Sequence, residues 1–564
     1  MHRHWLVNKT NSEFLKYISN KASISPVLAQ VLVNRGMRDL DSIKNFLYPS
    51  LERLHDPFLL PDMDKAVARL KIAIKKDETI FIHGDYDADG ITSTALLVNA
   101  FKKLKLKTFY HIPNRITEGY GISKTGIDKA KACGAHLIVT ADCGISAEGE
   151  ILTALSMGID VIVTDHHEPP DKLPGATAVI DPHRKDSEYP FKYLAGVGVA
   201  FKLIQALFQS TDPETQSTEL NEYLDLVAIG TIADSVSLTD ENRIFAAFGL
   251  HEINNGSCRA GIKALKRAAV IEKNISSGQL SFTIVPRINA AGRLDDAGEV
   301  VELFLTQDEE KASVIAGLLE QQNRRRQKIE GEVLKSALDM ITPHQLDNAI
   351  VLSSHDWHPG VIGIVASRIA DMFYRPVFLF SVKDSIAKGS ARSIHPFHLY
   401  DAIAECSDLL LGFGGHRQAA GLRMPVDNLQ AFKEQMNSIV EKALRADDMI
   451  PTLEIDAAVN FSDLNFNLVN ELRLLEPFGD SNREPVFGAK NIEIVNHKIV
   501  GSKHLKMHLK QDKINLDTIG FSMADKLGKI GNASALDIAF VPSINEWNGS
   551  RNLQLNLKAV RPSS

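Results

Sequence analysis

A doubly wound, mainly parallel α/β sheet, joined by a long helix to a second α/β unit and followed by a small β-barrel, is the architecture this sequence predicts. Three observations predict it. Short β-rich runs at 79–83, 108–112, 136–140, 160–164 and 177–180 are separated from one another by helix-like stretches or loops, an alternation that belongs to a parallel sheet. A second α/β pattern starts with the strands NAIVLSS (348–354) and PVFLFSV (376–382). Beyond a polar stretch near 445, the alternating segments NIEIVNHKIVG, KMHLKQ and ALDIAFVPSIN read as a barrel of the OB type.

The elements follow in order. Residues 1–55 carry helical periodicity and a glycine stop and read as a helical lead-in. The first α/β domain is placed at 56–298. The segment 299–345 is rich in strong helix formers and lacks proline until 343, so it reads as a connecting long helix or helix pair. The second α/β domain spans 346–448, and the barrel 452–564. With 564 residues the chain is long enough for several such domains.

Composition narrows the class. Hydrophobic residues at 44% and charged residues at 24% fit a globular enzyme and exclude a disordered chain. The four cysteines, Cys133, Cys143, Cys258 and Cys406, form no C-x-x-C pair, which argues against a zinc site and a disulfide framework and for a reducing, cytoplasmic setting. No apolar run suits a signal peptide or a membrane span. A net charge of −7 does not announce a nucleic-acid enzyme. The basic stretches Lys102, Lys103, Lys105, Lys107 and Arg324, Arg325, Arg326, Lys328 fit either a positive groove or solvated helix faces.

Chemistry gathers at predicted strand ends. HGDYDADG (83–90) follows the first strand and packs Asp85, Asp87 and Asp89 into five residues, a repulsion that cations or solvent must relieve. An EF-hand loop would need an acid at its twelfth position, where Leu96 stands. ADCG (141–144) and TDHHEPP (164–170) follow two further strands, so all three motifs lie at carboxyl ends of one sheet, where doubly wound folds bind ligands. Asp234, in LDLVAIGTIADSVSL, fits a helix N-cap, a turn or a ligand. Counting His83, Asp87, Asp89, Asp142, His166 and Asp234 gives an oxygen and imidazole set suited to Mn²⁺ or Mg²⁺. Six ligands exceed the need of one open ion and fit two ions roughly 3.5–4 Å apart that share a carboxylate.

Asp165-His166-His167, together with HGDYDADG, ADCG and GTIADSV in that order, resembles the DHH phosphoesterases. The resemblance implies that His83 and Asp87 hold one ion, that Asp89, His166 and Asp234 hold the other, and that Asp142 bridges them. It gives His167 a catalytic place at the scissile phosphate or attacking water, and makes Asp85 a nearby ligand or water-orienting carboxylate. GSARS (389–393) and FGGHRQAAG (413–421) resemble the DHH-associated domain, whose glycine-rich segment, here Gly414, Gly415 and His416, binds the nucleotide.

PRINAAGRLDDA (286–297), NRRRQ (323–327) and LEPFGDSNREPVF (475–487) are similar to the branch of that family that degrades single-stranded DNA from its 5′ end, and the likeness covers most of residues 60–560. One departure is Ser481-Asn482, where the branch usually has Gly-Asn. The branch implies a two-metal 5′ to 3′ exonuclease of DNA repair and recombination, with a 5′-phosphate pocket at Arg115, Arg293, Ser390 and Arg392. Single-stranded DNA is the implied partner, supplied by a helicase and a single-strand-binding protein. The competing expectations are a DHH-type hydrolase of short oligonucleotides or cyclic dinucleotides, and a non-catalytic replication scaffold. A scaffold would be expected to have lost metal ligands, and here all are present.

Overall fold

The chain begins by pairing with a segment far along it. Strand β1 (His4–Val7) runs parallel to Thr452–Ile455, residue for residue from His4 opposite Thr452 to Val7 opposite Ile455. Three helices follow, Ser12–Ala22, Pro26–Asn34 and Leu40–Leu47, each started by a side chain (Asn11, Ser25, Asp39) that accepts from the free N–H groups of its first turn. Their apolar faces bury Ile18, Leu28, Leu32, Ile43 and Phe46 in one core with Phe487, Leu505 and Phe540 of the C-terminal barrel. The segment 1–55, expected to be a helical lead-in, thus holds a strand besides its helices and shares its core with the barrel. Local periodicity does not disclose a strand whose partner is so distant. The structure, a computed structural model, describes residues 3–563 apart from 116, 212–215, 295, 343–345, 531–532 and 548. Residues 343–345 of the expected connector, and Asp295 of PRINAAGRLDDA, lie outside the described residues.

The main sheet comprises β2 (Ile80–Gly84), β3 (Thr108–His111), β4 (Leu137–Ala141), β5 (Asp160–Thr164) and β6 (Ala178–Ile180), in the order β3-β2-β4-β5-β6. All neighbours are parallel. Strands β2 and β4 are buried along their whole length, as apolar runs covered on both faces must be. Separate apolar clusters lie on the two sides. Strand order reverses between β2 and β4, so the crevice beyond their carboxyl ends is the topological switch point.

The connector is a helix pair, Gly298–Leu305 and the 31-residue Glu309–Asp339. Within its basic cluster Arg326 is buried against Asn323 and Glu330, and Arg324 pairs with Glu320. Lys103 likewise pairs with Glu219 and Glu222. These residues are helix-face and packing groups.

The second sheet contains β7 (Ile350–Ser354), β8 (Val377–Lys383), β9 (Ile386–Arg392), β10 (Gly412–Gly415) and β11 (Ala419–Pro425), in the order β10-β11-β9-β8-β7. Only β7 and β8 are parallel. Beyond β12 (Thr452–Ile455) and the short β13 (Ala457–Ala458), the strands β14 (Phe487–Val500), β15 (His504–Gln511), β16 (Ile514–Gly520), β17 (Leu536–Trp547) and β18 (Ser550–Pro562) close into a five-stranded barrel through β14–β17 pairing. No helix among the described residues is long and apolar enough to cross a membrane.

One buried cation ties these bodies together. Arg243, on the helix Asp240–Asn255, lies over the Phe46 ring at 4.0 Å and donates to the carbonyls of Phe46 (2.7 Å), Leu474 (2.9 Å), Leu475 (2.9 Å) and Glu476 (2.8 Å). Beside it Asn482 donates to the carbonyls of Leu475 and Pro477 and accepts from Arg35. Ser481 sits at φ 55°, the left-handed region that a glycine would hold without strain.

Candidate metal centre and phosphate pocket

The residue immediately after each of four strands is an aspartate: Asp85 after β2, Asp142 after β4, Asp165 after β5 and Asp181 after β6. Parallel pairing in register brings these four to one rim. Asp87 caps the next helix, Ala88–Lys103, by accepting from the N–H groups of Asp89 (3.0 Å) and Gly90 (3.2 Å). Asp89 turns back and accepts from the N–H groups of Gly196 (2.7 Å) and Val197 (2.8 Å). The crowding demands glycine at two places. A Cβ on Gly90 would lie 2.6 Å from that of Asp85, and one on Gly196 would lie 2.5 Å from Asp142 Oδ1.

The side chains form overlapping groups with the spacing of metal ligands: Asp85, Asp87 and Asp142; Asp89, His166 and Asp234; and Asp142 with His166 and His167. His166 Nε2 lies 3.2 Å from Asp142 Oδ1, 3.6 Å from Asp234 Oδ2 and 3.9 Å from Asp89 Oδ2. Asp142 holds the left-handed conformation at φ 64°, a strained position typical of functional residues. Asp234 ends the helix Leu224–Ala233, rather than starting one, so its carboxylate opposes the negative end of the helix dipole.

The electrostatics call for cations. Burial, then the charge of Asp87, pushes Asp85 well above the usual carboxylate range. Burial and the neighbouring Asp89 and Asp87 do the same to Asp142, and burial with Asp234 raises Asp89 to about 7. Asp85 Oδ1 and Asp142 Oδ1 are buried without hydrogen-bond partners. Buried acids with orphaned oxygens, beside an imidazole, fit hard divalent ions.

Asp165 differs. Burial works against its charge, yet His167 holds it below the usual range through a 2.7 Å hydrogen bond from Nδ1. Asp165 also accepts from the N–H groups of His166, His167 and Ile145 and so fixes the two histidines. Tyr120 Oη lies 3.1 Å from His167 Nδ1 and 3.4 Å from the Asp142 carbonyl.

His83 is not brought into any of these groups. Its Nε2 accepts from the Ser123 N–H at 3.2 Å, and its Nδ1 is buried without a partner. The Ser123 hydroxyl is held in turn by Glu118 (2.6 Å), which also bonds His111 (3.0 Å). Asp85 is the residue of this strand end that lies grouped with Asp87 and Asp142. Asp181 went unremarked in the sequence, although it follows a predicted strand as Asp142 does. It is buried, and burial with Asp165 raises it to about 8.

Across the crevice, a cavity of about 300 Å³ is lined by Arg115, Gly363, Lys388, Ser390, Arg392 and Gly415 among others. Arg293 joins it by donating to the Gly360 carbonyl at 3.1 Å, Gly360 being a wall residue. The guanidinium groups repel one another: burial and then Arg115 lower both Arg392 and Arg293, the latter to about 10. Arg115 lies 5.1 Å from the ring of Tyr86, the residue between Asp85 and Asp87, so the cavity adjoins the acidic rim. Gly414 and His416 do not line it. They stand exposed on the edge hairpin, Gly414 opposite Gly421. Lys388 and Gly363 are wall residues that the sequence did not single out; alternation along β9 with Ser390 and Arg392 was the available signal for Lys388.

An acidic rim of paired histidines and aspartates on a doubly wound sheet, facing a second sheet with a cationic pocket, defines a metal-dependent phosphoesterase of the DHH class. The family description "DHH family, N-terminal domain" matches residues 79–231 and "DHHA1 domain" matches 346–442. The C-terminal part narrows the class, since "RecJ OB domain" matches 455–559. The chain is 37% identical to the single-stranded-DNA-specific exonuclease RecJ of Bacillus subtilis, over 98% of this chain and 70% of that protein. It is 36% identical to the protein of the same name from Escherichia coli, over 96% of each. RecJ of Thermus thermophilus, solved in complex with Mn²⁺, superposes with a TM-score of 0.86 at 31% identity, covering all of this chain and 80% of that one; the same protein has been solved with Mg²⁺. The chain belongs to the RecJ family of exonucleases.

Proposed function

We infer that this protein hydrolyses single-stranded DNA from the 5′ end and releases mononucleotides. The observation that carries the reading is the pairing of an acidic rim fit for divalent ions with an adjoining pocket of guanidinium groups that form no ion pair with a carboxylate among the described residues. Asp85, Asp87 and Asp142 would hold one Mn²⁺ or Mg²⁺ ion, and Asp89, His166 and Asp234 the other. Bound there, the ions would lower the pKa of water and offset charge on the attacking and leaving oxygens. Asp165 positions His167, whose pKa is raised by the Asp165 hydrogen bond and charge despite burial. A protonated His167 suits a donor to the scissile phosphate.

Arg115, Arg293, Ser390 and Arg392 would receive the terminal 5′-phosphate, with planar guanidinium groups suited to bidentate contact. The division at 56–298, 346–448 and 452–564 fits this reading, with the strand entering between the two α/β units and the barrel extending its grip. Digestion of 5′- and 3′-labelled single and double strands, with and without Mn²⁺, tests it directly. Mononucleotide release from the 3′ end, or equal use of duplex, would overturn it. Arg392→Ala should weaken the use of 5′-phosphorylated ends about tenfold or more while affecting 5′-hydroxyl ends little; an unchanged ratio removes Arg392 from the pocket.

The raised pKa of Asp89 fixes a pH dependence. The folded, metal-free protein keeps a proton that the unfolded chain releases near pH 4. Metal-free stability therefore falls as pH rises from about 4 through about 7. A divalent ion displaces that proton, so Mn²⁺ should raise the melting temperature more at pH 8 than at pH 5.5. Equal shifts at both pH values would contradict the assignment.

A further inference from the structure

Beyond the cavity at Arg115, Ser390 and Arg392, the outer face of the second sheet continues as a shallow trough. Antiparallel pairing of β9 and β11 sets Lys388 opposite Arg423 and Ser390 opposite Gly421. Strand β10 adds Gly412 beside Arg423 and Gly414 beside Gly421. Strand alternation turns Lys388, Ser390, Gly421 and Arg423 outward and buries Ala387, Ala391 and Leu422. A second cavity of about 340 Å³, lined by Lys388, Gly412, Phe413, Gly421 and Arg423, shares Lys388, Gly389 and Gly421 with the first.

Two features of this trough are unexplained by packing. Like charges directly opposite on a sheet are destabilising, yet Lys388 and Arg423 are so placed, and neither has a carboxylate partner among the described residues. Gly412, Gly414 and Gly421 weaken the strands that contain them. A Cβ at any of the three would meet nothing within 4 Å, and none adopts a positive φ. A bare backbone floor beside unmatched cations is suited to a ligand that lies flat and carries negative charge.

We propose that the trough is a subsite for the outer phosphates of a polyphosphorylated 5′ end. A strand that begins with a 5′-triphosphate seats its first phosphate at Arg115, Ser390 and Arg392 and its outer phosphates on Lys388 and Arg423. This rests on the 5′-phosphate reading above. The bond broken is unchanged: water oxygen bonds to the scissile phosphorus, the P–O3′ bond breaks and O3′ takes a proton. The first nucleotide leaves with its triphosphate intact, and the remaining strand carries a 5′-monophosphate.

The test is single-turnover release of the first nucleotide from one oligodeoxynucleotide bearing a 5′-hydroxyl, a 5′-monophosphate or a 5′-triphosphate. The parent protein should release the deoxynucleoside triphosphate intact. Arg423→Gln should raise the strand concentration needed for the triphosphorylated end about tenfold, the loss expected for a charge-assisted contact, and leave the monophosphorylated end within about twofold. Refusal of the triphosphorylated end by the parent, or equal loss on both ends in Arg423→Gln, overturns the subsite while leaving a monophosphate preference in place. Equal use of hydroxyl and monophosphate ends would instead sink the 5′-phosphate reading, and the subsite with it.

Discussion

Asp142→Asn is expected to reduce the turnover of single-stranded DNA on the order of 10³-fold or more, with little change in DNA affinity. Asp142 belongs to both an aspartate group and a histidine group of the rim, and its Oδ1 is buried with no hydrogen-bond donor, 3.2 Å from His166 Nε2. The amide is isosteric, so the tight cradle formed by Gly196 is kept, while the negative charge is lost. The same substitution relieves the repulsion from Asp89 and Asp87, so the metal-free variant should melt higher than the metal-free parent. Calorimetric titration with Mn²⁺ should show at least one binding event removed. Parental turnover in the variant would remove Asp142 from the ligand set.

The second large effect concerns the join between bodies. Arg243→Met keeps the apolar stem over Phe46 but leaves the carbonyls of Phe46, Leu474, Leu475 and Glu476 without their donor. Burial lowers the Arg243 pKa to about 9, so the side chain is still a cation at neutral pH. Each buried acceptor left without its donor costs about 1–3 kcal/mol. Because a chain with several bodies does not unfold in one step, the suitable measurement is hydrogen exchange. Protection should fall at residues 40–48 and 472–482, with the main sheet much less affected. Uniform protection in the variant would show that the join does not depend on Arg243.

The main sheet and its chemistry were legible because each motif sits one step past an apolar run. Parallel pairing in register then turns sequence position into spatial position, and Asp85, Asp142 and Asp165 arrive at one rim without further information. Asp181 obeys the same rule and could have been found by it. His83 lies on the strand that leads to Asp85, and its hydrogen bond from the Ser123 N–H, supplied by a segment forty residues later, was not legible in the motif. Arg115, Ser390 and Arg392 meet across two sheets, and nothing local to any of them announces that meeting. Likewise β1 is four residues whose partner strand lies near the other end of the chain, and no window of sequence contains both.

That last pairing bears on how the molecule is made. Synthesis proceeds from the N-terminus, so Ile18, Leu28, Leu32, Ile43 and Phe46 emerge long before the residues that cover them, Phe487, Leu505 and Phe540. Through most of translation the opening helices have an uncovered apolar side while both α/β sheets are already complete and able to fold. A chain that lacks the barrel therefore leaves this apolar side uncovered, and truncation ahead of residue 452 is expected to lower the yield of soluble protein unless the opening helices are removed with it.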